Sequence, residues 1–112
     1  MEKYISTSGI NNDKKTAIKF IVRYTKGDYG IPRGIYFTIR PVVLHYLPSG
    51  SVMESWSHRS GMDFLIKQLD RKSAKQEDLI AKKLAPELMK FCRLFQEGKK
   101  DQIKELVNSL AL

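Results

Sequence analysis

The sequence predicts an α+β protein, in which an antiparallel sheet is followed by helices. Apolar and polar residues alternate in Thr16–Tyr24 and again in Gly34–Arg40, and a period of two is typical of a strand with one buried face. From Met62 onward the apolar residues recur every three to four positions, which is the period of an amphipathic helix. Because the strands come first, we expect a curved four-stranded antiparallel sheet, then a helix and a longer C-terminal helical segment.

The length and composition favour a single domain with a hydrophobic core. The chain has 112 residues, of which 42% are hydrophobic, and this fraction is too high for a disordered protein. We expect one domain over residues 1–112, with the sheet in about residues 4–59 and the helices in about residues 61–111.

The charge is strongly positive and uneven. The formal net charge is +8, which favours an anionic partner: nucleic acid first, then an acidic membrane surface or an acidic protein. Lys14–Arg40 holds seven basic residues and one acidic residue, whereas residues 62–112 hold eleven basic and eight acidic residues. The predicted strands are therefore the concentrated basic region, and a basic surface that serves only solubility is the alternative.

Glycine and proline divide the first half of the chain into extended segments. The predicted strands are Tyr4–Thr7, Lys15–Lys26, Ile35–Arg40, Val42–Leu47 and Ser51–His58. Residues 27–34 contain three glycines and one proline, so they predict a loop. Pro41 cannot donate a ladder hydrogen bond and predicts an edge, a bulge or a bend. Residues 48–50, with the sequence Pro-Ser-Gly, predict a tight turn.

Two capping signatures mark helix starts in the second half. Ser60 with Asp63, and Ser73 with Gln76, resemble capping boxes. Since the apolar spacing is helical from Met62, we expect a first helix directly after the first signature and a second helix after the other.

The later helices carry stop signals and a surplus of apolar residues. Pro86 predicts a break or kink, Gly98 predicts a helix end, and Lys99–Leu110 predicts a last helix. The apolar positions of this region are Leu79, Ile80, Leu84, Leu88, Phe91, Phe95, Ile103, Leu106, Val107 and Leu110. One small sheet face does not need so many, so we expect part of them to form a homodimer interface.

One face of the predicted sheet combines cations with aromatic and hydroxyl side chains. Alternation places Lys19 and Arg23 of one strand opposite the apolar set. Tyr36, Thr38 and Arg40 of the next strand share that side. Rings can stack on exposed bases while cations contact the phosphates, so this face predicts binding of single-stranded DNA or RNA with little base specificity. An ordinary solvent-exposed antiparallel face is the alternative.

A loop and a strand end extend this candidate site. Lys26, Tyr29 and Arg33 lie in or beside the predicted loop, and Trp56 and Arg59 end the last predicted strand. A core position is the alternative for Trp56. The complete candidate nucleic-acid site is Lys19, Arg23, Lys26, Tyr29, Arg33, Tyr36, Thr38, Arg40, Trp56 and Arg59.

No recognised catalytic or metal-binding spacing is visible. His45 and His58 lack partners at positions that fit a triad or a metal site, so we expect no enzyme, no metal and no cofactor. A small ligand pocket that uses both histidines and Tyr46 is the alternative. The single cysteine, Cys92, excludes an internal disulfide and lies among apolar positions, where we expect it to be buried.

The N-terminal residues and the hydropathy of the sequence indicate the cellular compartment. The N-terminal residues lack the apolar stretch of a signal peptide, and no apolar run reaches the length that crosses a bilayer. With a single cysteine, this favours a reducing compartment. We therefore expect a cytoplasmic protein without a membrane partner.

Three motifs support a resemblance to a known group of proteins. They are Gly34–Arg40, with the sequence Gly-Ile-Tyr-Phe-Thr-Ile-Arg, the turn Ser49–Ser51, and Ser60–Met62 before a predicted helix. With these motifs, about residues 17–70 resemble the single-stranded-DNA-binding transcriptional regulators of the positive-cofactor-four group and the broader Whirly-like fold.

The resemblance implies four curved strands and a helix, assembled as a dimer or higher oligomer that holds single-stranded nucleic acid on its sheets. Tyr36 and Arg40 would lie on the binding strand, with Lys19 and Arg23 on its neighbour. It also implies a role in transcription regulation. Pro41 and the long helical tail depart from the group's pattern. The alternative function is a protein-interaction module, dimeric through its helices, with no nucleic-acid role.

Overall fold

The computed structural model describes residues 15–55 and 61–112, together with the backbone of residues 3–10. It confirms the α+β class, with an antiparallel sheet followed by helices. The strands are β1 (Lys3–Ile10), β2 (Thr16–Thr25), β3 (Gly34–Tyr46), β4 (Val52–Ser55) and β5 (Met62–Gln68). The helices are α1 (Ala74–Leu84), α2 (Leu88–Gln96) and α3 (Lys100–Ser109), and a 3₁₀ turn at Ala85–Glu87 joins α1 to α2.

The long strand β3 organises the sheet. On one side it pairs with β2, which in turn pairs with β1. The other side of β3 is shared by two short strands, because β4 pairs with Val43–Tyr46 and β5 pairs with Gly34–Ile39. The strands therefore fill four positions of an open antiparallel sheet.

Strand β3 runs without a break through Pro41, where the sequence predicts an edge, a bulge or a bend. Pro41 lies opposite Ile18 of β2. On the other side of β3, pairing with β5 ends at Ile39 and pairing with β4 begins at Val43. Pro41 therefore lies in the gap between the two short strands, and neither β4 nor β5 pairs with it or needs the N–H that proline lacks.

The segment after Gly61 is strand β5, so the helix predicted there is wrong. Met62, Phe64 and Ile66 pack against the hydrophobic core at every second position, as residues on one side of a strand do. Backbone packing is close at this point, since a Cβ on Gly61 would lie 2.9 Å from the Ile39 carbonyl oxygen. The helical part begins at α1.

The remaining helix signals are confirmed. The Ser73 hydroxyl accepts a hydrogen bond from the Gln76 N–H at 3.3 Å at the start of α1. Pro86 lies in the 3₁₀ turn that interrupts the helical segment, and Gly98 follows α2 with φ +72°. Within the described residues, no helix combines the length and the apolar character needed to cross a membrane.

The core lies between the sheet and the helices, with Phe37 at its centre. The Phe37 ring stacks on Phe20 and on Phe64, each at 6.3 Å, and meets Phe91 of α2 edge-on at 5.1 Å. The buried helical side chains of this core are Ile80, Ala81, Leu84, Phe91, Ile103 and Val107. Cys92 is only partly buried and packs against the same core.

The core takes up most of the apolar surplus of the helices. Among the large hydrophobic residues of the described helices, only Leu79 and Met89 are exposed, at 45% and 87%. The helices therefore leave little apolar surface for the helix-mediated dimer that the sequence predicts.

Candidate nucleic-acid interface

The predicted polar face of the sheet forms as a set of neighbours. In the register of β2 and β3, Lys19 lies opposite Arg40 and Arg23 lies opposite Tyr36, with Thr38 between these two pairs. The alternate residues of both strands pack under the helices. The juxtaposition predicted from side-chain alternation is therefore confirmed, and its role in binding stays a prediction.

Arg23 belongs to a hydrogen-bonded network on this face. Its Nε donates to the Thr38 hydroxyl at 3.2 Å, and its terminal nitrogen lies 3.5 Å from the Asp63 carboxylate of β5. The Thr38 hydroxyl donates to the same carboxylate at 2.5 Å. Three strands are thus joined by one guanidinium, one hydroxyl and one carboxylate.

Tyr36 does not present its ring to solvent, so the expectation that it stacks on bases is wrong. Only 6% of Tyr36 is exposed, and its hydroxyl donates to the Pro32 carbonyl oxygen at 2.8 Å. The guanidinium carbon of Arg23 lies 5.3 Å from the ring centre, in the geometry of a cation–π contact. Thr38 is equally buried at 6%. A base has little access to this ring because so little of it is exposed and the Arg23 guanidinium lies over it.

Carboxylates neutralise much of the cationic face. Lys19 Nζ forms an ion pair with the Glu54 carboxylate of β4, and Asp63 pairs with Arg23. These two anions oppose the three cations of the face, Lys19, Arg23 and Arg40. The face is therefore a polar network with a small net charge and not a concentrated basic surface.

The loop between β2 and β3 presents a different aromatic ring. Tyr29 is 98% exposed. It lies in a tight turn closed by a 2.8 Å hydrogen bond from the Ile31 N–H to the Asp28 carbonyl oxygen. Tyr29 and Gly30 have φ values of +44° and +86°, as in a type I′ turn. Asn or Gly is preferred at the first of these positions, and a side chain there costs about 1–2 kcal/mol.

Arg33 fixes this loop against the turn that follows β5. Its Nε donates to the Lys26 carbonyl oxygen at 3.0 Å, and its terminal nitrogen donates to the Asp70 carbonyl oxygen at 3.4 Å. A backbone bond from the Leu69 N–H to the Arg33 carbonyl oxygen, at 3.4 Å, joins the same two segments. Arg33 therefore holds the loop in place, and its positive charge lies where the loop meets the turn after β5.

We call the resulting patch the loop-end surface and define it as Lys26, Tyr29, Arg33, Arg71 and Lys72. All five side chains are exposed. Within the described part of the chain, the side chains of Lys26 and Arg71 form no hydrogen bond or ion pair. The sequence pattern does not point to Arg71 and Lys72, because it places them between two predicted helices and not beside the loop.

The other candidate residues divide into two groups. Trp56, His58 and Arg59 lie outside the described residues. His45 is exposed on the β3–β4 hairpin, where its Nε2 lies 2.9 Å from the Ser55 hydroxyl. Among residues 15–55 and 61–112, no cluster of His, Cys, Asp and Glu has the arrangement of a metal site.

Comparison of the chain with protein-family models, with curated proteins and with solved structures finds no match.

Proposed function

We propose that this chain is a non-enzymatic protein that binds single-stranded nucleic acid at its loop-end surface. The observation that carries the proposal is Tyr29, a ring 98% exposed at a backbone position that disfavours it. Burial does not explain a tyrosine there, and the turn favours other residues. A base stacked on the ring explains both, since stacking on an aromatic side chain contributes about 1–3 kcal/mol per base.

The cations around Tyr29 suit a phosphate backbone. Lys26 precedes the turn, and Arg71 lies in the segment to which Arg33 ties the loop. Exposed cations that neutralise phosphates give an affinity that falls with salt, with a slope of about −0.7 per contact for a single strand. The sheet face offers less to an anion because Glu54 and Asp63 already occupy two of its cations.

A single strand suits this geometry better than a duplex. Tyr29 sits at the tip of a protruding turn and reaches a base only where the face of that base is free. In a duplex, both faces of each base are stacked, so the ring would meet only base edges and the backbone. The resemblance of about residues 17–70 to single-stranded-DNA-binding regulators points to the same ligand class, and a role in transcription regulation remains part of the proposal.

Fluorescence anisotropy with a labelled oligothymidine tests the proposal. Tyr29→Ala is expected to weaken binding by about 1–3 kcal/mol, roughly 5- to 150-fold, whereas Tyr29→Phe retains the ring and the affinity. The double variant Lys26→Gln, Arg71→Gln is expected to reduce the salt slope by about 1.4.

The matched charge control is Lys100→Gln, Lys104→Gln, which removes two exposed lysines from α3. It is expected to leave the salt slope nearly unchanged. The proposal fails if the unmodified chain binds no oligonucleotide at low salt, or if the α3 variant and the loop variant lose affinity equally.

The interaction module that the sequence suggests as an alternative gains no support at the helices, whose large apolar residues are mostly buried. Exposed apolar side chains are concentrated at the β3–β4 hairpin instead.

A further inference from the structure

The hairpin of β3 and β4 exposes apolar side chains on both of its faces. Tyr46 lies opposite Val52, and His45 lies opposite Met53. The exposed fractions of Tyr46, Val52 and Met53 are 55%, 49% and 57%, and Val43 is 44% exposed. A concentration of exposed apolar side chains on one hairpin is typical of an interaction site.

The hairpin also has a free strand edge. In the described residues, β4 pairs with β3 alone. The Leu47 N–H donates to the Ser51 carbonyl oxygen at 2.9 Å, so Leu47 and Ser51 form a hydrogen-bonded pair of the ladder. Hydrogen-bonded and non-hydrogen-bonded pairs alternate along an antiparallel ladder. The pairs of Val52 with Tyr46 and of Glu54 with Leu44 are therefore non-hydrogen-bonded. The backbone N–H and C=O groups of Val52 and Glu54 consequently point away from β3. These groups can pair with another strand.

Charge indicates which partner fits this edge. Residues 41–53 contain no Lys, Arg, Asp or Glu, although 29% of the chain is charged and its net charge is +8. Two copies repel each other across most of their surfaces, and the hairpin is where they can approach without that repulsion. The one charged residue of β4, Glu54, is paired with Lys19, so the hairpin offers little to an acidic or basic partner and is complementary to a second copy of itself.

We propose that two copies of this chain join through β4, in antiparallel pairing about a two-fold axis at Met53. In this register Val52 of each copy lies opposite Glu54 of the other, and both residues turn their free backbone groups outward. Four backbone hydrogen bonds form, and the two Met53 side chains meet on one face. The interface is isologous and closes as a dimer, so it does not continue into a filament.

Sedimentation velocity over a micromolar concentration series tests the proposal. The unmodified chain is expected to pass from monomer to dimer, and Met53→Lys is expected to weaken the dimer at least tenfold, because the two lysines then face each other at the axis. Met89→Lys is the matched control, since Met89 is equally apolar and 87% exposed but lies on α2. It should dimerise like the unmodified chain.

Cysteine crosslinking reports the register directly. In a Cys92→Ser background, Met53→Cys is expected to form a disulfide-linked dimer under mild oxidation, because facing residues in a non-bonded antiparallel pair bring their Cβ atoms within crosslinking range. Val43→Cys, on the inner strand of the hairpin, should not crosslink.

Three results overturn the proposal. They are a chain that stays monomeric throughout, a Met89→Lys variant as impaired as the hairpin variant, and a failure of Met53→Cys to crosslink. Binding of the monomer to lipid vesicles through the hairpin also overturns it.

Discussion

The guanidinium carbon of Arg23 lies 5.3 Å from the centre of the Tyr36 ring, and the same guanidinium pairs with the Asp63 carboxylate. Tyr36 therefore receives its cation from the neighbouring strand of its own sheet. Because side chains that are already paired have less to offer a ligand, this contact moves the expected binding surface from the sheet face to the loop end. The hydrogen-bonded network of Arg23, Thr38 and Asp63 is instead expected to stabilise the fold.

Asp63→Ala is expected to lower the free energy of unfolding by about 1–2 kcal/mol. The substitution leaves the buried Thr38 hydroxyl without its acceptor and Arg23 without its carboxylate. Urea denaturation measures the change. Glu105→Ala on α3 is the control and should remain within about 0.5 kcal/mol of the unmodified chain. Equal losses in the two variants would contradict a stabilising role for the network.

Gly34→Ala is expected to destabilise the fold by more than about 3 kcal/mol. A Cβ on Gly34 would lie 2.2 Å from the Lys67 carbonyl oxygen, so β3 and β5 would have to separate. Gly50→Ala is the comparison, because Gly50 has φ +87° but no atom within 4 Å of an added Cβ. Gly50→Ala should lower the free energy of unfolding by only about 1–2 kcal/mol, which is the cost of placing alanine at a positive φ. Thermal unfolding of both variants decides between steric exclusion and simple turn preference at Gly34.

Tyr29→Asn is expected to affect stability and binding in opposite directions. Asn tolerates the positive φ of this turn position, so the free energy of unfolding should rise by roughly 0.5–1 kcal/mol. Affinity for a single-stranded oligonucleotide should fall because the ring is lost. Calorimetry and anisotropy on the same preparation measure both quantities. A variant that loses stability would show that the Tyr29 ring has a structural role.

Phe91→Ala is expected to cost about 3–5 kcal/mol, since Phe91 is fully buried and packs edge-on against Phe37. Met89→Ala is the control, because Met89 lies two residues away on the same helix and its side chain is 87% exposed. It should change the free energy of unfolding by less than about 0.5 kcal/mol. Guanidinium denaturation of the pair checks that α2 packs on the sheet through the face that contains Phe91.

Sequence periodicity was sufficient for β2, for the helix ends and for the class of fold, but not for β5. The segment Met62–Gln68 carries apolar residues at positions that fit both periods, because Leu65 completes a helical set and Phe64 completes an alternating one. Local propensity does not decide between them. The decision comes from pairing with β3, and a long-range partner of this kind is not visible in a single sequence.

The sequence predicts which residues of the candidate site lie side by side, but it does not predict the net charge of that face. Alternation alone brings Lys19 and Arg23 to one face. The carboxylates that pair with them come from other strands, Glu54 from β4 and Asp63 from β5. A run of basic residues in the sequence therefore overstates the local charge, because acidic residues distant along the chain fold back onto it.

One strand sets the distance between the two surfaces proposed for this molecule. β3 begins at the loop end and finishes in the hairpin, so at about 3.3 Å per residue it separates them by about 40 Å. The longest dimension of the molecule is 44 Å. A two-fold pair joined at the hairpins would carry its two Tyr29 rings at opposite extremities. A short oligonucleotide would then occupy one extremity at a time, and a long strand could engage both, with avidity set by the length of the strand between them.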